Sequence, residues 1–159
     1  MITPLIIHER QARWARQIRP RVVGWPVSAL ETRTGAELAS AAARSACPLV
    51  VVDPRARELA ALEDLVLARR AAPGLLAMVF APSPHAGDFA SLAREMGATM
   101  ILESSAPPPT VLKVLARWLR LARGRSSRTG WAEDCLPVAE PWELLLGLAP
   151  GGGIEATPA

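Results

Sequence analysis

A chain of 159 residues, half of them hydrophobic, has material for one well-buried core and a short appendage, which argues against several domains. It has no apolar run near the ~20 residues of a membrane span, and it reaches charge at His8-Glu9-Arg10, too early for a secretory leader; Cys47 and Cys135 lack metal-ligand spacing, so a cytoplasmic protein with no membrane segment, zinc site or disulfide framework is expected. The net charge of +3 divides unevenly, because residues 1–128 hold all 18 Lys and Arg with 10 acids, whereas residues 129–159 hold five acids and no base.

Leu5-Ile6-Ile7 is a short apolar run ending at His8-Glu9 and reads as strand one. Gln11 to Arg19 carries Trp14, Ala15 and Ile18 at helical spacing until Pro20, and is helix one with Trp14 on its core side. Gly24 and Pro26 interrupt the next stretch and leave Val27 to Glu31 as a short second strand. Thr34-Gly35-Ala36-Glu37 has the spacing of a capping box and opens helix two, which runs to about Ala46. In Leu49-Val50-Val51-Val52-Asp53-Pro54, β-branched residues without polar alternation predict a strand buried on both faces, delivering Asp53 to its C-terminal end.

Helix three is expected over Arg57 to Ala72, with Leu59, Leu62, Leu65 and Val66 among charges and Pro73-Gly74 as the stop. Leu75 to Phe80 is strand four, and Ser83-Pro84 supplies a cap for helix four, whose Phe89, Leu92, Ala93 and Met96 recur until Gly97. Thr99 to Leu102 is strand five. Pro107 to Thr110 then opens an amphipathic helix five with Val111, Leu115, Trp118, Leu119 and Ala122, closed by Gly124. Residues 124–159 form a basic linker and an apolar, acidic tail, and the last nine residues are expected to be disordered.

Strands alternating with helices predict a doubly wound parallel α/β sheet, whose sites lie outside the C-terminal strand ends, where Asp53 falls. The order of elements, Leu49 to Asp53 and the lead Gly97-Ala98 into Thr99 to Leu102 together resemble the receiver domain of two-component response regulators. The resemblance implies a flavodoxin-like five-stranded sheet of order 2-1-3-4-5 over residues 1–123, with residues 124–159 as a C-terminal extension. Helices one and five would cover one face and helices two, three and four the other. It also implies that Asp53 stands at the phosphoacceptor position, that His8 and Glu9 stand at two acidic positions that hold Mg²⁺, and that Ala81 and Ser104 replace a switch hydroxyl and a lysine. An imidazole is a poor ligand for a hard cation, so at most weak Mg²⁺ binding is expected, with no other cofactor and no metal site.

These departures favour a degenerate, non-catalytic receiver-like module that binds another protein and is not phosphorylated in the usual way. Asp53 then merely holds its loop. The alternative keeps Asp53 as a phosphoacceptor. His8, Glu9, Asp53 and His85 at one sheet edge suit a transition metal by ligand type, although ordinary loop residues explain them as well. A further reading is an anion or nucleic-acid interface, built from Arg10, Arg13 and Arg16 on helix one with Lys113, Arg117, Arg120 and Arg123 on helix five. A solvated face in an Arg-rich composition is the plainer account. The resemblance also allows a homodimer through helix four, strand five and helix five. In the tail, Trp131, Leu136, Trp142 and Leu145 are too apolar for a free linker and are expected to dock, in cis or on a partner. No dinucleotide fingerprint, Walker A lysine, nucleophile elbow or zincin motif is present, so the sequence gives no basis for an enzyme.

Overall fold

The computed structural model describes residues 2–55, 57–82 and 87–126. Five parallel strands, β1 (Thr3–His8), β2 (Val27–Thr32), β3 (Leu49–Val52), β4 (Leu76–Ala81) and β5 (Met100–Glu103), form one sheet of order β2-β1-β3-β4-β5. Between them run α1 (Arg13–Ile18), α2 (Gly35–Ala42), α3 (Glu58–Ala71) and α4 (Gly87–Glu95), with α5 (Pro108–Ser126) after the last strand. This is the flavodoxin-like order expected from the sequence. No helix among the described residues is long and apolar enough to cross a membrane.

The alternation of β-strand side chains divides the core. Leu5, Ile7, Leu49, Val51, Met78 and Phe80 face α1 and α5, where they meet Trp14, Ile18, Val111, Leu115 and Trp118. Ile6, Val50, Val52, Ala77 and Val79 face α2, α3 and α4, meeting Leu38, Leu62, Leu65 and Ala93. Trp14 stacks on Phe80 with ring centroids 4.0 Å apart, so the aromatic ring of α1 is core, as its spacing predicts. β3 is buried on both faces because helices cover both sides of a parallel sheet, and burying each Val contributes ~1.5–3 kcal/mol.

Element boundaries differ from the sequence reading in informative ways. The capping box at Thr34 and Glu37 forms in full, but α2 ends at Ala42, and the Ser45 hydroxyl then accepts from the Cys47 amide at 3.3 Å, giving the backbone an alternative to helix. Gly124 does not close α5, which continues to Ser126; its φ is not positive, and a helical glycine costs only ~1 kcal/mol against alanine. Gly97 does end α4, with φ +101°. The Ser83-Pro84 cap, His85, and the tail residues Trp131, Leu136, Trp142 and Leu145 lie outside the described residues.

Candidate functional site

Asp53 follows β3 at the C-terminal edge of the sheet, where its amide donates to the His8 carbonyl at 3.0 Å and so fixes it beside the end of β1. Its carboxylate is buried. Oδ1 accepts from the Arg55 amide at 3.3 Å and lies 3.6 Å from Arg55 Nε, closing the turn that leads to α3. Burial pushes the Asp53 carboxyl above the usual carboxylate range, and the charge of Arg13 pulls it part of the way back.

Glu9, the next residue after β1, is spent on helix α1. Its Oε2 accepts from the amides of Arg13 and Trp14 at 3.1 and 2.8 Å, and its Oε1 accepts from Ala15 at 2.8 Å. These are amides that the first turn of a helix cannot satisfy internally. Burial raises the Glu9 carboxyl while the three donors pull it down, and neither oxygen is left uncommitted for a cation.

His8, at the end of β1, bridges two elements. Nε2 lies 3.2 Å from Asp64 Oδ2 on α3, and Nδ1 lies 3.0 Å from the Thr32 hydroxyl at the end of β2. The Asp64 carboxylate only accepts, so the neutral ring carries its proton on Nε2 and Nδ1 accepts from Thr32. Burial holds His8 below the ordinary imidazole value against the pull of Asp64. The sequence reading missed Thr32, Asp64 and Arg55. Asp64 sits among other charges on a helical face, and nothing in its spacing marks it.

On the other side of Asp53, Arg13 reaches back from α1 across the sheet edge. Its guanidinium lies 5.1 Å from the Trp14 ring centroid, and Nη2 donates to the Ser104 carbonyl at 2.8 Å. The neighbouring Nη1 is buried and has no hydrogen-bond partner in the protein. Ser104 follows β5, its amide bonded to the Ala81 carbonyl at 3.1 Å, so neither a lysine nor a side-chain hydroxyl at the end of β4 faces Asp53. Two adjoining hollows, of about 20 and 10 Å³, lie between the loops after β1 and β3; Glu9, Arg10, Asp53 and Arg55 line both.

The arginines expected on a basic face are placed differently from one another. Arg10 precedes α1 in the loop beside Asp53, and Arg13 is half-buried against Ser104, because α1 begins only where Glu9 caps it. Arg16 is exposed on α1, and Lys113, Arg117, Arg120 and Arg123 are exposed on α5. Among the described residues, no three His, Cys, Asp or Glu side chains come together as a metal site.

No protein-family model matches the sequence, and neither does any curated protein. Solved structures do. The signal receiver domain of a putative LuxO repressor protein from Vibrio parahaemolyticus is 17% identical, with a TM-score of 0.67, covering 82% of this chain and 99% of that one. A CheY-like response regulator receiver domain from Methanospirillum hungatei is 12% identical, with a TM-score of 0.65, covering 79% of this chain and 99% of that one. The receiver domain of a sensor histidine kinase from Pseudomonas aeruginosa, solved with magnesium in its active-site cleft, is 12% identical with a TM-score of 0.57 and covers 76% and 99%. This chain has the receiver-domain fold of response regulators.

Proposed function

We propose that the protein is a non-catalytic signalling module of receiver-domain fold that works by binding another protein and is not phosphorylated in the usual way. The observation that carries this reading is the commitment of Glu9: both carboxylate oxygens hold the amides of Arg13, Trp14 and Ala15. A hard cation needs several oxygen ligands. Arg55 and Arg13 place positive charge against Asp53. His8 offers no ligand, since both ring nitrogens are engaged with Thr32 and Asp64. The donor set therefore does not fit Mg²⁺, in contrast to the magnesium-bound Pseudomonas receiver domain.

Phosphoryl transfer to a carboxylate relies on cations to neutralise the transferring oxygens and on contacts that hold the product. Ala81 provides no hydroxyl, and the Ser104 carbonyl is tied to Arg13 instead of facing Asp53. The partner-binding face we assign is the β5 edge, where Met100, Ile101 and Leu102 are half-buried and the flanking helices expose Leu92 and Leu121. A second copy of this chain or a different protein suits that edge equally, and sedimentation analysis at several concentrations distinguishes them.

Incubation with acetyl phosphate and Mg²⁺, followed by intact-mass measurement, tests the central statement. The expected result is unmodified protein. A stoichiometric adduct of one phosphoryl group that disappears in Asp53→Asn establishes the alternative reading, a divergent but working phosphoacceptor.

A further inference from the structure

Charge is sorted between the two faces of the sheet. α1 and α5, which share one face, carry seven Lys and Arg and no Asp or Glu. α2, α3 and α4, on the other face, carry six Asp and Glu against three Arg. An Arg-rich composition by itself enriches every helix alike, so it does not account for the sorting. Within α5 the cations are also aligned. At about 100° per residue, Lys113, Arg117 and Arg120 fall within about 60° of one another, opposite the buried Val111, Leu115, Trp118 and Ala122. All three are exposed. The next position on that line is Gly124, where an added Cβ would meet nothing within 4 Å, so the row ends on open backbone.

We infer that the outer row of α5, Lys113, Arg117 and Arg120, together with the exposed Arg16 of the neighbouring α1, binds the phosphate backbone of duplex DNA without reading its sequence. A row of one sign suits a polyanion, because each cation that meets a phosphate releases a condensed counterion. Other partners fit less well. A protein interface centres on buried apolar and aromatic side chains and is depleted in Lys, whereas here the cations themselves occupy the outermost line and the exposed Leu121 only flanks it. A helix that lies in a membrane surface inserts its apolar side, and that side of α5 is buried in the core. Single strands are held by stacking bases on aromatic rings, but Trp14 and Trp118 are buried. Duplex RNA is recognised through its 2′-hydroxyls, and the row has no side chain that both donates and accepts as a partner for them. DNA binding by this row is independent of the β5 edge and of Asp53.

Fluorescence anisotropy of a labelled DNA duplex of about 20 base pairs, titrated with the full chain at about 50 to 200 mM NaCl, tests the assignment. Expected are a Kd of about 1–100 μM near physiological salt and a log–log salt slope of about −3 to −4, the value for three or four phosphate contacts. Lys113→Gln, Arg117→Gln and Arg120→Gln, exposed changes to a good helix former, should each weaken binding roughly tenfold at ~0.1 M salt and flatten the slope by about one. Arg70→Gln and Arg94→Gln, exposed on α3 and α4, should leave both quantities unchanged. Duplex RNA, poly-glutamate and phosphatidylserine vesicles, each added as a competitor, should displace the probe less well than unlabelled DNA at equal charge. Three results overturn the inference. One is no binding at the lowest salt. Another is an equal loss in Arg70→Gln and Arg94→Gln, which marks net charge instead of the α5 row. The third is displacement by one of the other competitors as effective as that by DNA, which assigns the row to RNA, an acidic protein or a membrane.

Discussion

His8 Nε2 lies 3.2 Å from Asp64 Oδ2, joining the end of β1 to α3 across 56 residues of sequence. Burial outweighs this partner and keeps the folded-state pKa of His8 below 6.5. Below that pH the unfolded chain takes up the proton that the folded chain resists, so stability present above about 6.5 is lost as pH falls. Glu9 and Asp53 act in the opposite sense, because their raised values favour the folded state at lower pH and lose that contribution as pH rises through them. Urea unfolding across pH for the wild type and for His8→Gln separates the two effects. The wild-type loss below pH ~6.5 should be missing from the variant.

Glu9 is the N-terminal clamp of α1. Glu9→Gln keeps one acceptor oxygen but sets an NH₂ group against backbone amides, two of which are buried. Leaving buried donors unmet costs ~1–3 kcal/mol, so a loss of about 2 kcal/mol in urea denaturation is expected. The Trp14 indole signal should shift too, since Trp14 follows the first residue of α1 and stacks on Phe80.

Asp53→Asn removes a charge that burial disfavours while keeping an acceptor for the Arg55 amide. Stability at neutral pH should rise. A gain of ~1 kcal/mol corresponds to roughly 4 °C in a domain of this size, which differential scanning calorimetry resolves. A fall in Tm instead would mean that the Arg13 and Arg55 charges outweigh desolvation.

Gly35 opens α2, and a Cβ there would meet the Asp64 carboxylate and the Leu67 side chain. Alanine normally stabilises a helix by ~0.5–1 kcal/mol over glycine. Here it should instead push Asp64 off His8, with a net loss of about 1 kcal/mol from the broken bond. NMR titration of the His8 ring adds a specific readout, because losing Asp64 removes the largest influence that raises its pKa.

The alternation of strands and helices was legible in the sequence, because period and burial are local properties, whereas the sheet order and the division of the helices between its faces were implied by the resemblance to receiver domains. Val50 and Val51 announce a strand covered on both sides, and Thr34 with Glu37 announces a helix start that forms as written. Asp53 at a strand end was legible for the same reason. The commitments of its neighbours were not. Whether Glu9 holds a cation or three amides depends on where α1 begins, and whether His8 faces Asp53 or Asp64 depends on the alternation of β1 and on a helix 56 residues away. Arg13 shares the spacing of an outward arginine row, yet the Ser104 carbonyl, 91 residues on, draws it inward. Side-chain hydrogen bonds between distant segments form only once the chain has brought them within about 3 Å, and no spacing within one segment encodes them.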